Sequence, residues 1–257
     1  MNTTAVKFLE LKKIMDELRS KCPWDQKQTI QSLRTMTIEE TYELSDAVLS
    51  ESWEDIKEEL GDLILHVLFY SKIAEEQNKF TIEEVLETIA KKLINRHPHI
   101  YGNIIVNDED DVKKNWEKIK QQEGKKSVLS GVPSSMNALP KALCIQEKVK
   151  KVGFEWKHID DVWMKVEEEM QELKQAIKEQ SQIEIEEEFG DVLFSLVNYA
   201  RFLKVDPEVA LDKVNKKFID RFAKMEAMAL VDNKHLADLS LEEMDSLWNS
   251  IKKQQRD

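Results

Sequence analysis

The sequence predicts an all-α protein, a tandem duplication of one helical-bundle unit, and three observations carry that prediction. The 257 residues include only 6 Gly and 5 Pro, too few turn formers for a sheet protein of this length. Charged residues make up 34% of the chain, as in long solvated helices. Finally, KEELGDLILHVLFYS (57–71) and EEEFGDVLFSLVNYA (186–200) share one arrangement. Glu39, Glu40, Glu43, Glu59, Gly61 and Asp62 recur as Glu168, Glu169, Glu172, Glu188, Gly190 and Asp191 at a constant spacing of 129 residues (39 to 168, 62 to 191). KKLINRH (91–97) returns as KKFIDRF (216–222) at a spacing of 125, and NWEKIKQQE (115–123) resembles LWNSIKKQQ (247–255). A register held across two helices and their flanks marks a duplication, each copy being one helical unit.

The elements follow in order. Residues 3–20 carry an apolar stripe of Val6, Leu9, Leu11, Ile14 and Leu18, which CPWDQ (22–26) breaks. Helices follow at about 28–49 and 53–78, and Thr81 with Glu84 makes a capping box for a third that ends near HPHIYG (97–102). A further helix is expected from about Asp108 to Gln121. The stretch QQEGKKSVLSGVPSS (121–135), with two glycines, a proline and several serines, reads as a linker. Beyond it come helices near 136–151, 160–179 and 182–203. Another spans 207–229, with Asp206 as cap and Pro207 in its first position, and Ser240 with Glu243 caps the last. The expected domains are therefore 1–121 and 136–257, joined by a linker at 122–135.

The totals exclude several classes of function. A net charge of -12 with no basic stripe argues against a nucleic-acid partner, though not against a phosphate ligand held through metal ions. The two cysteines, Cys22 and Cys144, lack metal-type spacing and fit a reducing cytoplasm. The first twenty residues lack the apolar core of a signal peptide, and no apolar run approaches membrane-spanning length.

The acids carry the chemistry. Glu168, Glu169 and Glu172 stand at i, i+1 and i+4, within an arc of roughly 100° on one helix. Glu188 and Asp191 stand at i and i+3 on the next, on a strip continuing through Ser195 and Asn198. That strip flanks an expected apolar face of Phe189, Val192, Leu193, Leu196 and Ala200. A short connection makes the helices antiparallel neighbours, so the acidic strips face each other. Carboxylates gathered there repel and raise one another's pKa values, a conflict that a hard divalent cation removes. Gly190, without a side chain, would let a neighbouring helix or the metal cluster come close. Runs of Glu are usually solvated helix faces. The duplicated two-helix register, with Asp beside apolar residues both times, favours metal instead. The motif supplies Glu-x-x-Asp without His, which favours Mg²⁺ or Mn²⁺ over a di-iron pair.

The pattern EExxE, a gap, then ExxD on paired helices resembles the all-α nucleoside triphosphate pyrophosphohydrolases, a superfamily that includes dimeric dUTPases. CPWDQKQT, the duplication, HPHIYG, VGFEW (152–156) and NKKFIDRF narrow the resemblance to the MazG family, over nearly the whole chain. It implies Mg²⁺-dependent hydrolysis of nucleoside triphosphates to monophosphate and pyrophosphate, broad base tolerance, a role in clearing the nucleotide pool, and a homodimer of helical bundles. It also implies that the second copy is the main catalytic one. Glu169, Glu172, Glu188 and Asp191 would then hold Mg²⁺, with Glu168 orienting or deprotonating the attacking water. Lys217 and Arg221, one helical turn apart, would neutralise the leaving pyrophosphate; the alternative is a solvated face. The family motifs also point to Trp248 and Lys252 closing over the nucleotide, with core packing the alternative for Trp248. Asn198 would bond sugar or base.

The copies differ along the strip. Where the second has Ser195 and Asn198, the first has His66 and Phe69. The first copy keeps Glu40, Glu43, Glu59 and Asp62, with Lys92 and Arg96, and is expected to bind metal while turning over little. Two other readings stand beside this one, a dUTP-preferring hydrolase of the same superfamily and a non-enzymatic helical scaffold.

Overall fold

Hydroxyl and carboxylate caps set where several helices begin. The computed structural model describes residues 3–106, 108, 111–112, 115–116, 119, 127–231 and 234–254, and no strand forms among them. The helices there are α1 (Thr3–Lys21), α2 (Ile30–Leu49), α3 (Trp53–Glu76), α4 (Ile82–Arg96), α5 (Pro98–Tyr101), α6 (Ala138–Lys150), α7 (Ile159–Glu179), α8 (Gln182–Phe202), α9 (Pro207–Val231) and α10 (Leu241–Gln254). Thr29 accepts from the Ser32 amide ahead of α2, and Thr81 and Glu84 exchange bonds ahead of α4. Asp206 takes the Glu208 and Val209 amides, and Ser240 the Glu243 amide. HPHIYG, expected to end a helix, itself winds into α5 with Pro98 in its first turn. The expected helix at 108–121 falls largely outside the described residues, as do 122–126 of the expected linker; residues 127–135 form hydrogen-bonded turns.

Two compact units result, Met1–Ile119 and Lys120–Asp257. In the first, α2 and α3 lie along each other, joined by a turn through Glu51 at φ 56°. In the second, α7 and α8 do the same through Gln180 at φ 57°, 129 residues later. The duplication thus extends to a left-handed turn residue that costs about 1–2 kcal/mol outside glycine.

The first unit's core joins Met15 of α1 to Leu33, Leu68, Phe69, Ile73 and Ile82. The expected α1 stripe is only partly right. Phe8, Leu11 and Met15 face this core, whereas Leu9, Ile14 and Leu18 stay exposed. The CPWDQ segment serves as a docking turn. Arg19 donates to the carbonyls of Asp25 and Gln28 and forks onto Glu76 of α3, at 2.9 Å for its closest contact.

In the second unit Val162, Val166 and Ala176 of α7 are buried, as are Val192 and Val197 of α8, with Met225, Ala229 and Ile251. The expected apolar face of α8 divides. Val192 is buried, but Phe189, Leu193 and Leu196 remain more than two-fifths exposed, because α7 covers the neighbouring strip instead. Their counterparts Leu60, Ile64 and Val67 are equally exposed on α3.

The expected role of Gly190 is not seen within the chain. A Cβ at Gly190 or at Gly61 would meet open space, since both glycines sit on the exposed side of their helices. Gly190→Ala is therefore expected to raise unfolding stability by about 0.5–1 kcal/mol in a denaturant titration. A loss instead would show that another surface closes on that position.

Candidate functional site

The hairpin of α7 and α8 sets four acids against each other. Glu169 and Glu172 lie one turn apart on α7, Glu188 and Asp191 one turn apart on α8. Single carboxylate oxygens of Glu169, Glu172 and Glu188 come within 4.8 Å of one another. Oε2 of Glu188 is buried with no hydrogen-bond partner, an acceptor left short of a cation or donor. The electrostatics carry the same strain. Glu172 is held above the usual carboxylate range, first by sharing a hydrogen bond with Glu169, then by desolvation and neighbouring charge. Glu188 is pushed up by desolvation, then by Asp191 and Glu169. Lys165, one turn before Glu169, reaches Glu168 at 2.7 Å and Glu169 at 2.8 Å, and these bonds raise its own pKa. The four-acid set matches a hard cation, with clustered oxygens, one of them orphaned, and no soft ligand.

A cleft of about 490 Å³ opens beside the cluster. Lys165, Glu169 and Asp191 are among the charged residues that line it. Phe154, Trp156 and Phe194 give it apolar walls, and Gln146, Asn198 and Arg201 supply polar atoms. Gln146 is buried, and its amide nitrogen donates to the Phe194 carbonyl at 2.8 Å.

The first unit repeats the acids in different surroundings. Oxygens of Glu40, Glu43 and Glu59 also gather within 4.8 Å, and Glu59 Oε2 is orphaned like its counterpart in Glu188. Glu40 and Glu59 are both pushed up, by desolvation first and then by neighbouring acids, Asp62 among them. Beyond the acids the units part. Phe69, at the Asn198 position, is 3% exposed and packs with Met15 and Leu33. His66 is buried and bonds Thr37 at 2.7 Å, and burial lowers its pKa against a partial pull from Asp62. Met36 stands where Lys165 does, and Lys72, in place of Arg201, pairs with Asp16 and Glu75.

The other expected site residues lie elsewhere. Glu168 is exposed and paired with Lys165, outside the trio of close oxygens. Lys217, Arg221, Trp248 and Lys252 do not line the cleft. Arg221 lies over the Trp248 ring at 5.7 Å, and Trp248 packs on Phe218. In the first unit Arg96 covers Trp116 in the same way at 5.5 Å. An Arg–Trp pair is therefore present in both copies. Sequence reasoning missed Lys165, Gln146, Glu155 and Arg201. Lys165 was legible as a cation four residues before Glu169, and Glu155 sits inside the quoted VGFEW.

The MazG nucleotide pyrophosphohydrolase domain matches the chain twice, at residues 28–101 and 161–225. A nucleoside triphosphate pyrophosphohydrolase/pyrophosphatase MazG of Thermotoga maritima is 46% identical over 98% of both chains. The chain belongs to the MazG family. An Escherichia coli nucleoside triphosphate pyrophosphohydrolase is 37% identical over 95% of this chain and 96% of its own. A solved MazG-related protein from Thermotoga maritima aligns with 25% identity and a TM-score of 0.40, covering 44% of this chain and 97% of that one. The two MazG segments contain both acid clusters. Gln146, Phe154, Glu155, Trp156 and Trp248 fall outside them.

Proposed function

We propose that the second unit hydrolyses nucleoside triphosphates at the α–β bond, giving monophosphate and pyrophosphate, with tolerance for different bases. The observation that carries this reading is the acid cluster, with its orphaned Glu188 oxygen, beside a cleft that Glu169 and Asp191 line and that is large enough for a nucleoside. The family's named relatives support it. Glu169, Glu172, Glu188 and Asp191 would hold Mg²⁺, or Mn²⁺ in its place. Such a cation, when bound, offsets the triphosphate charge and activates water for attack on phosphorus. Lys165, which lines the cleft, would meet phosphate oxygens, and Glu168, its other partner, would orient or take a proton from water. The residues at the Arg–Trp pair would act on the nucleotide only from outside the cleft.

A homodimer fits the uncovered faces. Phe189, Leu193 and Leu196 of α8, with Leu211, Val214, Phe218 and Ile219 of α9, leave a set of exposed apolar side chains in the second unit. Leu60, Ile64 and Val67, with Leu86, Ile89, Leu93 and Ile94, repeat it in the first. Surfaces duplicated in register suit pairing of like with like in a second copy. Among the described residues no helix is long and apolar enough to cross a membrane.

Product analysis with several triphosphates and Mg²⁺ tests the activity. Pyrophosphate with monophosphate is expected; orthophosphate with diphosphate would sink the reading, and turnover confined to dUTP would mark a dUTP-preferring enzyme.

Metal binding has a pH signature. Glu172 and Glu188 titrate above their unfolded values, so without metal their contribution favours folding at low pH and is lost as pH rises through the raised values. A divalent cation replaces those protons. Mg²⁺ is therefore expected to raise the melting temperature more at pH 7.5 than at pH 5, the stabilisation at pH 7.5 reaching about 2.7 kcal/mol at a hundredfold excess over Kd. Equal shifts at both pH values would argue against carboxylate ligation.

A further inference from the structure

Arg201 is a buried cation, its side chain only 6% exposed, and a buried guanidinium is costly unless its donors are filled. Its Nη1 and Nη2 donate to the two carboxylate oxygens of Glu155 at 2.6 and 2.5 Å. Its Nε and Nη2 also donate to Asn198 Oδ1, at 3.2 and 2.8 Å. Glu155 belongs to the loop between α6 and α7 that carries Phe154 and Trp156, both lining the cleft. Asn198 and Arg201 belong to α8. One side chain therefore ties the aromatic wall of the cleft to the helix that bears the acids.

The same bonds settle which way the Asn198 amide faces. A guanidinium has donors only, so Oδ1 must meet it and Nδ2 turns away; the flipped amide would set N–H against N–H. Asn198 lines the cleft, and its Nδ2 makes no hydrogen bond to the described residues. It stands seven residues beyond Asp191 on α8, about 10 Å along the axis, close to the reach from an α-phosphate to a base edge. The first unit has neither Asn198 nor Arg201, with Phe69 packed into its core and Lys72 paired with Asp16 in these two places.

We propose that Glu155 and Arg201 form a clasp that positions the base-reading wall of the cleft and fixes Asn198 as a hydrogen-bond donor. Arg201 acts as a positioning residue through Asn198 and the 152–156 loop. A donor-only Asn198 favours a base edge with an acceptor, the carbonyl of uracil or hypoxanthine, over the amino group of cytosine or adenine. The preference is modest, the weight of one neutral hydrogen bond, and is compatible with broad base tolerance. The inference rests on the nucleotide reading above.

Binding decides it independently of turnover. With Mg²⁺ and non-hydrolysable α,β-methylene analogues, the full-length protein is expected to bind UTP over CTP, and ITP over ATP, by about fivefold. Glu155→Gln and Arg201→Lys should bring both ratios toward one while KM for nucleoside triphosphates rises more than kcat falls. Asn198→Asp, which still accepts from Arg201 but has no N–H, should turn the ratios toward the amino bases. Absence of a preference in the wild-type protein, or unchanged ratios in Glu155→Gln and Asn198→Asp, overturns the clasp. Glu155→Gln keeps the test open if Arg201→Lys fails to fold. Pyrophosphate release by the wild-type protein from ribose 5-triphosphate, which has no base, reads the acid cluster alone; its loss would strike the hydrolase reading and leave the binding ratios to judge the clasp.

Discussion

Glu172→Gln or Asp191→Asn is expected to cut pyrophosphate release by at least about a hundredfold, because each removes one ligand charge from a site asked for several kcal/mol of charge stabilisation. Both substitutions preserve shape. In the metal-free protein they also relieve a conflict, since Glu172 holds its proton above the usual range against Glu169, and Asp191 helps to push Glu188 up. The fold should therefore persist, with a melting temperature without metal equal to or above that of the wild-type protein. The gain in melting temperature on adding Mg²⁺ should shrink in step with turnover. Steady-state kinetics and thermal melts with and without Mg²⁺ check both halves. Near-normal turnover at ordinary Mg²⁺ in either variant would mean that the metal sits elsewhere. An unfolded variant would mean that the acids are structural.

The second large effect separates the copies. Glu43→Gln with Asp62→Asn is expected to spare most turnover, whereas Glu172→Gln with Asp191→Asn removes it. Acid counting cannot make this distinction, because both units gather three carboxylates within the same 4.8 Å and both orphan the same glutamate oxygen. What differs is the space next to them. The second unit keeps a cleft edged by Lys165, Asn198 and Arg201. The first packs Phe69 into a core with Met15, and no cation at the Lys165 position meets its acids, since Met36 stands there. A nucleotide's sugar and base need polar partners, and burying them unpaired costs about 1–3 kcal/mol per group. The first unit would then serve metal binding and dimer packing. Measuring the two double variants side by side decides the matter, and equal losses would show that the copies share the work.

Much of this protein is legible in its sequence for a simple reason: helices are local. Caps such as Thr81 with Glu84 and Asp206 with Pro207 satisfy the first amide groups within a few residues, so helix starts could be placed without a fold. The repeat was legible because a constant spacing of 129 residues needs no coordinates, and one-turn spacing already put the acids on facing strips. Those same rules failed where a decision belonged to contacts between distant segments. Which apolar stripe of α1 is buried depended on Phe69 and Leu33, and three of the five residues of the expected α8 face stayed exposed because α7 took the neighbouring strip. Periodicity finds an amphipathic face but not its partner. The clasp of Arg201, Glu155 and Asn198 joins a loop to a helix 46 residues away, and a charged side chain in sequence carries no sign of whether it will be buried. Lys217 and Arg221 had the right spacing on one helix, but only the tertiary structure could place Lys165 and Arg201 at the cleft and Arg221 over Trp248, because distance between helices is set by packing and not by register.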